Sequence, residues 1–510
     1  MKNLLKYIFS FTSVALMISC SDLEEDPVGL LAPQGYFKTA ADVQAAIVGG
    51  YEPFGNQNLY GRFYDGALQL RGDMVSIGDP GTAAERQQMN NFDMDATNGL
   101  VRRFWPLFYE SISSENAAIY GAGQVEISDE VRNVLVAEAR FVRGFSYYQL
   151  VRCYGDIPYI DEFISNPDIV KSISKTPEEE IYQKIIEDFQ FAKENLPDQQ
   201  PGDIRSRPTK GTASSYLASV YLMLEDYENA ALEAQWVIDN SSRFNYSLAD
   251  DYQDLFNAEV THTLQEPIFV IDFLSNYQST GNNDQLGRLH SPNRRASDGT
   301  ASVYRGYSSL VPSMEVYSTW DGRDYRKTVS LDTASQMEDG THTSYWEWEV
   351  PRPAIAKWSR YPGPNATAGG MVSDHDFMLM RYAEILLIAA EALTEVNNGP
   401  TAQAIDYVNM VRTRARNWAG TMTDFPADAP TGLNKEEFID LILEDRRLEF
   451  AFEWKRWFDI KRRRLGEEVF KGPESLESHP NFDPSRDYYW PIPAEEIDRY
   501  PNILPQNPGY

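Results

Sequence analysis

Apolar and polar positions alternate with a helical period along most of the 510-residue chain. The strongest stretch is 435–464, KEEFIDLILEDRRLEFAFEWKRWFDIKRRR. Leu441, Leu448, Phe452 and Phe458 fall on one side, and Phe450, Trp454 and Trp457 on the other. Charges fill the gaps at pairing distance, Glu453 with Arg456 and Asp459 with Arg463. No Gly or Pro interrupts it, so the spacing predicts one long helix packed on two sides. The same period predicts helices over 40–51, 103–120, 129–152 and 176–196. In the last, Thr176 is the expected cap and Pro177 the first helical residue. Leu217, Ala218 and Tyr221, followed by Ala230, Ala234 and Val237, form a pattern that returns as Ala389 and Ala392 followed by Ala404, Val408 and Val411. Small residues at those spacings let two helices approach closely, as in tetratricopeptide pairs. The expected fold is mainly α, a helical-repeat scaffold.

Two regions break the period. Residues 53–98 are rich in Gly, Asn, Asp and Gln and read as long loops with short elements. Residues 241–376 read as an irregular insertion with a few short strands, at EPIFVIDF (266–273), TVSL (328–331) and IAKWSRY (355–361). Long polar loops carried on a rigid frame are where function concentrates.

Composition narrows the choices. A net charge of −30 repels nucleic acid and anionic lipid, so nucleic-acid binding is excluded. The two cysteines, Cys20 and Cys153, form no disulfide framework; Cys153 lies in an apolar helical context and reads as a buried thiol. His262, His290, His342, His375 and His479 show no metal-ligand spacing, and no HExxH, GxSxG, P-loop or dinucleotide-type glycine pattern occurs. Asp73 with Asp79, or Asp93 with Asp95, read as chance neighbours in an acidic chain rather than as a glycosidase pair. The sequence therefore points to a protein that is not an enzyme and needs no cofactor or metal. Binding remains. The 30 Tyr, 25 Phe and 10 Trp supply flat faces for stacking, although Trp105, Trp454 and Trp457 lie on regular helices and are expected in the core.

Residues 1–19 carry Lys2 and Lys6, an apolar run from Tyr7 to Ile18, and Ser19 before Cys20. That is a signal peptide, and Leu16–Cys20 resembles a lipobox. LILEDRRLEFAFEWKRWFDIKR (441–462), AEARFVRGFSYYQLVRCYGDIPYI (137–160) and YYWPIPAEEIDRYPNILPQNPGY (488–510) resemble the signatures of SusD/RagB proteins. The resemblance implies a surface-exposed lipoprotein of the outer membrane in bacteria of the Bacteroidetes type, with Cys20 acylated. It implies that the protein captures an oligosaccharide, or a peptide as on the RagB side, for a SusC-like TonB-dependent transporter. A tetratricopeptide-like adaptor that binds only protein is the alternative. The implied organisation is a leader (1–19), a lipidated N-terminus and tether (20–40), an N-terminal helical region (41–240) with ligand loops at 53–98, an insertion (241–380) and a C-terminal helical region (381–510). The family's ligand surface is shallow and built from loops. Here it is placed on Asp73, Arg86, Asn91, Tyr277 and Trp346, the two aromatics stacking on the ligand and the other three hydrogen-bonding to it.

Overall fold

Among the described residues nine principal helices follow one another in the order the periodicity sets. They are α1 (Ala40–Gly55), α2 (Gly99–Ala122), α3 (Asp129–Tyr154), α4 (Glu178–Asn195), α5 (Lys210–Met223), α6 (Tyr227–Asp239), α7 (Tyr382–Val396), α8 (Ala402–Ala415) and α9 (Lys435–Glu449). The computed structural model describes residues 33–166, 168–275, 283–292, 306–337, 339–367 and 371–510. Local chemistry starts most of these helices. Thr39, Thr209 and Asn434 form reciprocal capping boxes, while Asn98, Ser128, Asp226 and Thr401 accept from first-turn amides. The start of α4 differs from expectation. Pro177 holds the cap position with no side-chain bond, and Glu178, Glu179 and Glu180 stabilise the helix N-terminus through its dipole instead.

Each helix packs on the next: α1 on α2, α2 on α3, and so on to α6, which packs on α7 across the insertion; α7 then carries α8 and α9. The repeated small residues sit at those contacts. Ala218, Ala230, Ala234, Ala389, Ala392 and Ala404 are all fully buried, so the expected mainly α repeat scaffold is what forms. One apolar core runs through the N-terminal helices, the insertion and the C-terminal helices. Cys153, Trp105, Trp454 and Trp457 lie in it. Removing one cap tests the local argument. Thr209→Ala deletes the bond to the Thr212 amide (3.2 Å) and one with the Tyr246 hydroxyl (3.0 Å). It should cost about 1 kcal/mol, read as a shift in the urea midpoint; an unshifted midpoint would show that tertiary packing alone sets where α5 begins.

The long helix expected over 435–464 is broken. Helix α9 ends at Glu449, and a short helix, α10 (Arg456–Arg462), follows a turn in which Phe452 and Trp454 take left-handed backbone angles (φ 63° and 62°). The expected pairs within the stretch do not form. Glu453 meets Lys357 and Arg381, Asp459 meets Arg446 and Arg462, Arg456 meets Asp73, and Arg463 meets Glu391 and Glu395. Apart from Asp459 with Arg462, which are neighbours on α10, tertiary ion pairs have overridden helical ones. The insertion contains paired two-stranded ribbons. Pro267–Ile271 is a strand, as the pattern predicts, and the structure pairs it antiparallel with Phe377–Arg381. TVSL is the end of a short helix, Tyr325–Ser330, followed by the two-residue strand Leu331–Asp332, whose partner Ala354–Ile355 meets IAKWSRY only at its first residue.

Candidate functional site

The two loop regions singled out in the sequence meet in space. Val75–Ile77 pairs antiparallel with Leu310–Pro312, and the pairing continues as Gly78 N–H to Ser309 O (3.1 Å) and Asp79 N–H to Ser308 O (2.8 Å). A side chain at Gly78 would place its Cβ 2.2 Å from Ser308 O, so only glycine allows that closeness. Further along, Gln285 N–H donates to Gly61 O (2.7 Å), and a Cβ on Gly61 would stand 2.8 Å from Asn283 O. The N-terminal loops and the insertion thus form one continuous surface.

The segment that braces it is buried. Burial drives the Asp284 carboxyl up to about 7, even though Ser373 Oγ donates to it, and drives the His290 imidazole down to about 3. His290 is therefore neutral and packed. Among the described residues no group of three or more His, Cys, Asp or Glu could hold a metal ion.

The predicted residues separate on this surface. Asp73 is buried, with Oδ1 and Oδ2 each 2.8 Å from the guanidinium of Arg456. Burial raises its pKa, but the Arg456 charge overcomes that and holds the carboxyl below its ordinary range. Asp73 thus anchors the loop to α10, with both carboxylate oxygens taken up by Arg456. Its neighbour Arg71 is tied in the same way to the far end of the chain, donating to Asp487. Phe92, within the same loops, is core, its ring 4.0 Å from the Arg71 guanidinium carbon. Asn91 is exposed, and its carbonyl accepts from Asn481 Nδ2 (3.1 Å). Arg86 is half-buried on the short helix Ala84–Asn91 and donates to Thr82 Oγ1 (2.8 Å).

Trp346 is 67% exposed. Its ring lies 4.3 Å from that of Tyr345, tilted by 35°, and Tyr345 is in turn buried edge-on against Tyr317 at 5.8 Å. Trp348, two residues on, is buried and donates Nε1–H to Thr343 O (3.2 Å). A turn that buries two of its three aromatics holds the third out on a fixed pedestal. Tyr307 is also exposed on this surface, its amide bonded to Arg288 O (3.0 Å). Tyr277 and Cys20 lie outside the described residues.

The loops also bring together arginines that local reading does not connect. Arg62, Arg86 and Arg103 gather around the ring of Phe63, and Arg288 faces Arg62 from the insertion. In sequence they lie in four separate segments, Arg62 and Arg86 close to acids such as Asp65 and Glu85, so no run of charge betrays the cluster.

Two cavities formed by described residues lie elsewhere. One of about 390 Å³ is lined by Trp105, Tyr109, Ile160 and Tyr500 among others; another of about 670 Å³ includes Asp272, Asp374 and Asp376. Neither includes any of the predicted ligand residues.

Comparison with known proteins gives a consistent result. A family profile described as the SusD family matches residues 332–510, and one described as "Starch-binding associating with outer membrane" matches 53–222. SusD-like protein P2 of Formosa agariphila is 46% identical, with 99% of this chain and 100% of that protein aligned. A SusD homolog from Bacteroides thetaiotaomicron superposes with a TM-score of 0.80 at 21% identity, over 94% of this chain and 98% of that one. A structure described as a laminarin-binding SusD-like protein gives 0.76 at 22%, over 93% and 100%. At such identities the two solved structures share the fold.

Proposed function

This chain belongs to the SusD family, and on that ground we propose that it binds oligosaccharides at the cell surface, without turning them over, and delivers them to a SusC-like TonB-dependent transporter of the outer membrane. The observation that carries the binding half is Trp346. A large indole left in water yet fixed from behind by a buried tyrosine is suited to stacking on the C–H face of a sugar ring. Arg86 and Asn91, half-buried and exposed on the short helix Ala84–Asn91, add hydrogen bonds to hydroxyls or ring substituents, with Tyr277 a second stacking residue. The laminarin in the description of a structural neighbour and the starch in the family description support glycan over peptide. Such a shallow site binds weakly, with Kd on the order of micromolar to millimolar, ~4–8 kcal/mol. Titrating the purified chain with a panel of neutral and acidic oligosaccharides and short peptides tests this; binding of peptides alone would move the protein to the RagB side.

Residues 1–19 act as the export leader, 20–40 as a lipidated tether, 41–240 and 381–510 as the two parts of the scaffold, and 241–380 as the insertion. Anchoring rests on Cys20. One acyl chain holds a protein only marginally at a membrane, so several are needed. Cys20→Ser should move the protein from the outer-membrane fraction to the soluble one, and unchanged retention would remove the lipid anchor from this scheme.

A further inference from the structure

Arg143, Arg326, Arg381 and Arg462, all buried, each face carboxylates in this fold. Four arginines of the loop surface follow that pattern only in part. The guanidinium carbons of Arg62, Arg103 and Arg86 stand 4.0, 4.8 and 5.5 Å from the ring centroid of Phe63. They arrive from different elements: Arg62 from the residue before the helix Phe63–Leu70, Arg86 from the helix Ala84–Asn91, and Arg103 from α2. Arg288, on the short helix Leu286–His290, joins them from the insertion. Among the described residues the one ion pair in the group is Arg103 with Glu85 (2.6 Å). The Nε groups of Arg62, Arg86 and Arg288 are buried without a hydrogen-bond partner. Burial first, and then the charges of Arg288, Arg86 and Arg103, bring the Arg62 pKa down to about 10. Gathering like charges, half-buried, raises the energy of the folded state, and unpaired buried donors add to it. A fold of net charge −30 has acids in excess with which to neutralise these arginines. Strain of this kind, retained at an open surface, marks a site completed by a ligand.

We propose that Arg62, Arg86, Arg103 and Arg288 form an anion subsite that takes the sulfate ester or carboxylate of an acidic oligosaccharide, so that the glycan captured on this surface is anionic. The proposal rests on reading this surface as a glycan site. Guanidinium forks match the paired oxygens of both groups and bind them by charge-assisted, bidentate hydrogen bonds. Phe63 is in cation–π contact with the Arg62 and Arg103 guanidinium groups, which helps to hold them in place before a ligand arrives. The negative charge of the rest of the protein opposes a polyanion at long range. At physiological salt, with a screening length of about 8 Å, the local cluster dominates.

The test titrates the purified chain at that salt with carrageenan oligosaccharides (sulfated), oligogalacturonate (carboxylate) and laminarin oligosaccharides (neutral), followed by Arg62→Gln and Arg288→Gln. At least one acidic ligand should bind about tenfold or more tighter than the neutral one; which one identifies the anionic group. Each glutamine variant should weaken that ligand by about tenfold, the loss expected for one charged hydrogen bond, and leave neutral binding unchanged. Its unfolding temperature should hold or rise, because repulsion is relieved. Laminarin bound as tightly as both acidic ligands would overturn the anion subsite and leave glycan capture standing. No binding of any of the three would overturn both. Variants that lose thermal stability and keep full acidic-ligand affinity would make the cluster a structural element instead.

Discussion

Arg381→Ala is expected to destabilise the protein by about 3–5 kcal/mol, the cost of orphaning buried carboxylates. Arg381 is fully buried where the strand Phe377–Arg381 runs into α7. Its Nη1 donates to Glu266 (2.6 Å) and Glu449 (2.9 Å), its Nε to Glu453 (2.8 Å), and its Nη2 to Glu453 (3.0 Å) and the Glu449 carbonyl (3.0 Å). Arg414, Arg326 and Lys357 complete the network from α8 and the insertion. Alanine leaves three carboxylates short of a cation in a dry interior. A urea midpoint equal to wild type would mean that this network is hydrated or dispensable. The pH dependence carries a sign. Burial pushes Glu449 up, but Arg414, Arg381 and Arg326 outweigh it and hold its carboxyl at about 2, below the ordinary 4.5. A group depressed in the folded state stabilises fully above its unfolded pKa and loses that contribution as pH falls toward its folded one. The gap between wild type and Arg381→Ala should therefore be widest above about pH 4.5 and narrow as pH falls toward about 2.

Trp346→Ala should weaken glycan binding by about 2 kcal/mol or more, roughly thirtyfold. From a micromolar-to-millimolar starting point that places most ligands beyond calorimetric detection. The reason is geometric. The indole is already fixed by Tyr345, so little rotamer entropy is lost when a sugar settles on it. Because the side chain is two-thirds in water, removing it should change folding stability by no more than about 0.5 kcal/mol. Binding and folding therefore separate cleanly in this variant. Trp346→Phe keeps a smaller face and should fall between alanine and wild type. Affinity for the alanine variant equal to wild type would displace the stacking face from this turn.

How much of this was legible in the sequence depends on how local the cause was. The alanine spacing at 218–237 and 389–411 is a property of single helices, and it predicted their packing. The break after Glu449 is not local. Phe452 and Trp454 adopt positive φ in a turn where the Phe452 carbonyl accepts from Trp358 Nε1 (3.2 Å) and Lys455 reaches Leu379 O (2.7 Å) and Glu384 (2.7 Å). None of those partners is within sixty residues, and no glycine marks the turn. Asp73 had the right residue type in the right loop, but its partner lies 383 positions away. Trp346 and Trp348 share one polar stretch, yet only Trp346 is exposed, because Trp348 packs in a cluster with Tyr345 and Ala354. Arg62, Arg103 and Arg288 could not be found, since they lie in separate stretches of the chain and only the fold brings them together.

The same long-range ties bear on how the protein is made. Asp73 is held by Arg456, and Arg71 by Asp487, across 383 and 416 positions. A ribosome releases these N-terminal loops first and their anchors last. A chain cut short before Arg456 would carry Arg62, Arg86, Arg103, Arg288 and Trp346 and yet lack both anchors. Contacts this distant form late and slowly, so the face that carries these residues takes its final shape only after nearly the whole chain has emerged, and a truncated product would present it unanchored.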